Sequence, residues 1–232
     1  ALPIFLQDIL YPEDISTIQE LTGYLFYREY PFQKAIMFDG DGSNGKSTLI
    51  QLLVTLLGEE NVSNISLQDL IYRRFTRAQL YRKLANMYSD LSDQAVKETG
   101  TFKMLTGGDP IFADQKFKEP FTFKNYAKLI FSCNKIPISG DDTDAYFRRW
   151  ILISFPNKFE GKDADPNILK KLTIKPELSG MFNRSISSKT DLSIVKEILV
   201  FSILYHQFCV ILFQPSKTPI FNTDPFSCTT FL

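Results

Sequence analysis

The chain has 232 residues, 44% of them hydrophobic and 14% aromatic, and its 26 Lys plus Arg balance 26 Asp plus Glu. That length and apolar content suit one α/β core with a small appendage, and exclude a disordered tail, a collagen-like repeat and a coiled coil. Zero net charge removes the whole-chain basic excess that usually marks nucleic-acid binders, so any such contact has to rest on local residues.

In chain order, Ile15, Ile18, Leu21 and Leu25 recur at helical spacing after Pro12 and predict a helix leading to Tyr30 and Pro31. Residues 1–33 thus read as an N-terminal helical segment. Residues 35–38 are a short apolar run that predicts a buried strand; a Gly-rich turn follows, then a helix over 47–57 stopped by Gly58. Strand, Gly-rich turn, helix is the first half of a βαβ unit. The run 84–90 fits a strand or a helix, because Leu80, Leu84, Met87 and Leu91 also fall at helical spacing. Between Asp109 and Phe123 the sequence predicts a hairpin, with 110–113 outward, 114–118 at the turn and 121–123 returning. Residues 127–133 and 150–155 read as further buried strands, so the fold class is α/β with a mostly parallel sheet and flanking helices. Residues 181–232 carry only 7 of the 52 charged side chains. That puts a compositional boundary near Gly180, with a core over 34–180 and a divergent, truncated or frame-shifted tail beyond it. Within the tail, the apolar run 198–213, broken by His206 and Gln207, falls short of the roughly 20 residues a membrane span needs.

Gly40, Asp41, Gly42, Ser43, Asn44, Gly45, Lys46, Ser47 and Thr48 satisfy G-x-x-x-x-G-K-[ST] in full. Glycines let the backbone curl until its N–H groups form a concave array for phosphate oxygens. Lys46 adds a point charge for the β and γ phosphates, and the Ser47 hydroxyl is a Mg²⁺ ligand. Nucleoside triphosphate binding is therefore the central expectation. A guanine-reading site would want Asn-Lys-x-Asp, whereas Asn134, Lys135 and Ile136 are followed by Pro137. Cys133, Cys209 and Cys228 are odd in number and far apart, which fits neither a disulfide framework nor a zinc site and points to a reducing compartment. A single histidine, His206, excludes His-based metal and triad chemistry. The first ten residues lack a charged n-region and a cleavage site, so no signal peptide is expected. The missing initiator Met suggests an excised domain or a processed product. Residues 71–135 hold 12 basic side chains against 6 acidic ones, a local surplus that acidic residues elsewhere balance.

Four motifs in order, the phosphate loop, Thr106-Gly107-Gly108-Asp109, the run ending Cys133-Asn134-Lys135-Ile136-Pro137, and Phe147-Arg148-Arg149-Trp150, resemble the superfamily 3 helicase domain of phage, plasmid and large-DNA-virus primase-helicases. That family is a branch of the AAA+ ATPases, and the resemblance covers about residues 5–180. It implies a P-loop AAA+ three-layer sandwich and an ATP-driven DNA helicase of viral or plasmid replication. ATP and Mg²⁺ would be its cofactors, DNA its partner and a homo-hexameric ring its assembly. Priming would belong to an upstream primase domain absent from this chain, and the setting would be the cytoplasm of a prokaryote or viral host. By the same resemblance, Asp90, seventeen residues before Gly107, is the metal-associated carboxylate at a strand end, with Asp93 close behind where the family has two adjacent carboxylates. Asn134 is the γ-phosphate sensor. Arg148, ahead of Arg149, is the arginine finger that reaches a neighbour's ATP. Lys116, Phe117 and Lys118 at the hairpin tip meet DNA. Two other readings of the loop are a nucleotide-binding remnant without unwinding activity, motivated by a tail that stops matching the family from about Arg184, and a P-loop phosphoryl transferase.

Overall fold

The computed structural model describes residues 1–92, 96, 98–137 and 143–187. Asp93, His206, Cys209, Cys228 and the apolar run 198–213 lie outside the described residues. In chain order the strands are β1 (Ala35–Asp39), β2 (Val62–Ser63), β3 (Ala85–Tyr88), β4 (Pro110–Ala113), β5 (Phe121–Lys124), β6 (Lys128–Cys133) and β7 (Trp150–Ser154). The α-helices are α1 (Leu2–Ile9), α2 (Pro12–Leu25), α3 (Lys46–Leu57), α4 (Leu67–Tyr72), α5 (Arg74–Arg77), α6 (Gly100–Gly107), α7 (Asp144–Phe147), α8 (Ile168–Leu172) and α9 (Lys175–Ser187). Five strands make one sheet in the order β2-β3-β6-β1-β7, parallel at every pairing. β4 and β5 form a separate antiparallel hairpin.

Period-two alternation on the central strands splits the core into two layers. Ile36 and Phe38 of β1, with Ile130 of β6 and Ile151 and Ile153 of β7, bury against α1, α2, α3, α8 and α9. Ala35 and Met37 of β1, with Leu129, Phe131 and Cys133 of β6, bury against α4, α6 and the hairpin. Every residue of β6 is buried, as expected of a central parallel strand covered on both faces. The ambiguous run is strand β3, and it ends at Tyr88 rather than at Asp90. Packing between β2 and β6 decides it. Ala85 and Met87 point into the first layer. Asn86 between them is fully buried and satisfied by the backbone of Ile65 (3.0 and 2.9 Å) and by Ser63 Oγ (3.0 Å).

Helices α1 and α2 share the first layer with α3 and are thus part of the main core. Glu177 of α9 accepts from the amino group of Ala1 at 2.9 Å and from Leu2 N at 3.0 Å. α9 runs through Gly180 to Ser187, so the change in composition there does not break the helix. It lies so close along α2 that a Cβ on Gly23 would sit 2.6 Å from the Ser185 carbonyl oxygen, and Phe26 meets Phe182 edge to face at 5.1 Å. At the start of β6, Lys128 is fully buried, donates to the Tyr27 carbonyl beyond the end of α2, and lies 4.4 Å from the centre of the Tyr24 ring. Among the described residues no helix is long and apolar enough to cross a membrane.

Candidate functional site

In a parallel sheet the strand C-termini all open at one edge, where ligands bind. β1 ends at Asp39 and runs straight into the glycine loop. Gly40 takes φ +146° and Gly45 φ +90°, conformations that glycine adopts at little cost. Close approach excludes a side chain as well: a Cβ on Gly40 would meet the Phe155 carbonyl oxygen at 2.8 Å, and one on Gly45 would meet Ile9 Cγ2 at 2.6 Å. Two amides beyond β7 brace the loop, Phe155 N donating to Asp39 O (2.9 Å) and Phe159 N to Ser43 O (2.7 Å). The loop then caps α3, whose first turn carries Lys46, an exposed Ser47 and a half-buried Thr48. The free N–H groups and dipole of this twelve-residue helix favour an anion at that point.

Lys46 is 5% exposed. Its ammonium donates to the Gly40 carbonyl, to Asp41 O (3.0 Å), to Asn44 Oδ1 (3.0 Å) and, at 3.5 Å, to Asn134 Oδ1. Burial lowers its pKa, while Cys133, Asp39, Asp41 and Asp90 act to raise it. Asn134 follows β6 directly. Asp90 lies two residues beyond β3, in a turn pinned to β6: Ser132 Oγ donates to Ser89 O (2.6 Å) and Leu91 N to Ser132 O (2.8 Å). Lys46, Asp90 and Asn134 therefore collect at one edge, each beyond the C-terminal end of a different strand, β1, β3 and β6. Sequence reasoning did not single out Asp39 and Cys133 there. Burial raises the Asp39 pKa against the pull of Lys46. Burial, and then the Asp39 charge, push the Cys133 thiol up to about 12, so the thiol stays protonated. Among the described residues no three His, Cys, Asp or Glu side chains group as a metal site.

Arg148 does not join this cluster. It precedes β7, whose first residue pairs with Ala35 at the other edge of the sheet, about 17 Å away for five residues of strand. Its side chain is exposed. Arg149 is engaged within the chain, through Nε to Thr106 Oγ1 (3.1 Å) and Nη1 to the Ala145 carbonyl. Lys34 donates to the Arg148 carbonyl, and burial, helped by the two arginines, lowers its pKa to about 8.

The hairpin turns Ile111, Ala113 and Phe123 inward and leaves Phe112 exposed. At its tip Lys116 and Lys118 are exposed, and Phe117 is fully exposed at φ +61°. Residues 72–83 lie beside it, tied by Arg74 Nε to Asp114 Oδ2 (2.8 Å) and by the Tyr81 ring against Phe121 and Phe123 (5.0 and 5.6 Å). Phe75 and Tyr81 are 44% and 42% exposed, each with an arginine 5.1 Å from the ring centre. Sequence reasoning counted these arginines only as local charge. Their alternation with Tyr and Phe over 72–83 was the signal for a basic, aromatic face continuous with the hairpin.

Residues 38–149 match the model of a family of unknown function (DUF5906). In sequence the chain is similar to "Putative helicase L207/L206" of Acanthamoeba polyphaga mimivirus, 32% identical over 127 residues, and to "Putative helicase 121R" of Invertebrate iridescent virus 3, 29% identical over 142 residues. Those matches take in 52% and 57% of this chain but only 13% and 15% of the two relatives. In structure it is similar to the apo NrS-1 C-terminal region, with a TM-score of 0.64 at 21% identity over 88% of this chain and 50% of that one. It is also similar to a ligand-bound JCV helicase, with a TM-score of 0.50 at 16% identity over 88% of this chain and 59% of that one. The mostly parallel α/β fold with flanking helices is that of these neighbours, and the chain is helicase-like in sequence and in fold.

Proposed function

We propose that this chain is the ATPase core of a DNA helicase of superfamily 3 type, at work in viral or plasmid replication in the host cytoplasm. The observation that carries the reading is the approach of Asn134 to Lys46, 3.5 Å apart across 88 residues of chain, at the mouth of a complete phosphate loop. The glycine cradle and the open end of α3 suit the phosphates of ATP. Ser47 and Asp90 would hold Mg²⁺, which would supply charge neutralisation to the phosphates. Lys46 binds the β and γ phosphates, and Asp90 would hold the metal and orient the attacking water. Asn134 donates and accepts at the γ-phosphate without adding charge. Arg148, exposed at the far sheet edge, is supplied to the next copy in a homo-hexameric ring. Lys116, Phe117 and Lys118, with Phe75 and Tyr81 beside them, grip single-stranded DNA by phosphate contact and base stacking. Residues 34–180 form the working core on this reading, with residues 1–33 packed on it, 181–232 as a divergent tail and priming carried by a domain outside the chain.

ATP hydrolysis by wild type and Lys46→Ala, with and without single-stranded DNA, together with particle mass in ATP, tests this reading. The wild type should hydrolyse ATP, faster with DNA and as a ring, and Lys46→Ala should lose at least about 100-fold. A monomer that hydrolyses nothing under any condition would favour the nucleotide-binding remnant.

A further inference from the structure

We propose that Asn44 is a positioning residue that holds Lys46 in the nucleotide-free loop and then bridges Lys46 to a phosphate oxygen when a nucleoside triphosphate binds. The inference rests on the reading above that the loop takes a nucleoside triphosphate. Asn44 is 4% exposed, and its two amide atoms are treated differently. Oδ1 accepts from Lys46 Nζ at 3.0 Å, whereas Nδ2 is buried and has no hydrogen-bond partner among the described residues. Leaving a buried amide donor unpaired is costly, and such a group usually signals a ligand or a role. Nδ2 lies against the first glycine of the loop, 2.5 Å from where a Cβ on Gly40 would stand. The nearby Gly40 and Asp41 carbonyls are both taken by Lys46.

The ammonium has three protons and four acceptors around it, Gly40 O, Asp41 O, Asn44 Oδ1 and Asn134 Oδ1. The loop therefore satisfies its own lysine until phosphate draws that lysine off the carbonyls. An amide suits the hand-over because Oδ1 keeps Lys46 while Nδ2 donates to the incoming oxygen. Aspartate would hold Lys46 but repel the phosphate, and alanine would do neither.

The test measures the dissociation constant for Mg-ATP and the nucleotide-free melting temperature of wild type, Asn44→Ala, Asn44→Asp and Asn44→Ser. Asn44→Ala should weaken ATP binding at least about tenfold, the scale of one charge-assisted hydrogen bond. Asn44→Asp should weaken it further, and Asn44→Ser, which keeps a short donor, should fall between alanine and wild type. Nucleotide-free Asn44→Ala should melt no lower than wild type, since the unpaired donor is gone and Lys46 keeps its other acceptors. Wild-type affinity in Asn44→Ala and Asn44→Asp, or losses of affinity that track losses of melting temperature across the set, would overturn the inference while leaving nucleotide binding intact. A wild type that binds no ATP would overturn the nucleotide reading itself and this inference with it.

Discussion

Lys128 is a cation with no exposed surface, set under the Tyr24 ring. Burial lowers its pKa to about 7, opposed only in part by Glu29, whereas an unfolded lysine titrates near 10.4. Between those values the unfolded chain binds the extra proton. Stability should therefore rise as pH climbs from about 7 towards 10, by at most about 1.4 kcal/mol per pH unit for one such group. Lys34, at about 8, acts in the same direction over the upper part of that window. A pH series of thermal melts should show the rise, and Lys128→Met should reduce it to the share that Lys34 contributes. Gly45→Ala meets two obstacles, φ +90° and Ile9 Cγ2 at 2.6 Å. It should lower stability by about 1–3 kcal/mol in denaturant melts and abolish ATP binding. The motif alone made Gly45 legible as a loop glycine. Ile9 was not legible as its neighbour, because that contact exists only once α1 has folded onto the loop.

At the scale of elements, β1, β6 and β7 could be read because each is a short, nearly unbroken apolar run between turn signals. β3 could not, since 84–90 fits a strand or a helix and only its neighbours β2 and β6 choose between them. Short helices such as α5 and α7, four residues each, have too few turns to show a period. The hairpin was legible from its two apolar arms around a charged turn, but its companion face over 72–83 needed the Arg74–Asp114 pair and the Tyr81 contacts. Phe75→Ala and Phe117→Ala should each weaken single-stranded DNA binding by about 1–3 kcal/mol in anisotropy titrations. Both rings are exposed, so melting temperatures should hardly change. Gly23→Ala should do the reverse, driving α9 off α2 through the Ser185 carbonyl and lowering stability by about 1–3 kcal/mol with little direct effect on DNA.

Across the whole molecule, Arg148 and Lys46 stand at opposite edges of one sheet, a separation invisible in the sequence because strand order is set by packing. If copies share sites, Lys46→Ala and Arg148→Ala subunits, each inactive alone, should recover part of the ATPase activity when mixed, since some interfaces then pair an intact loop with an intact arginine. Mixing that restores nothing would remove Arg148 from the shared site. The strand order also sets when the site can exist during synthesis. β1 leaves the ribosome before its two sheet neighbours, β6 and β7, and the amide that braces Ser43 belongs to Phe159. A nascent chain that has been made as far as residue 120 holds every atom of the glycine loop but neither β6 nor β7, so long-range pairing defers the site to a later step. Arrested chains should acquire nucleotide affinity only after Phe159 has cleared the exit tunnel, so the glycine loop becomes functional well after its own residues are made.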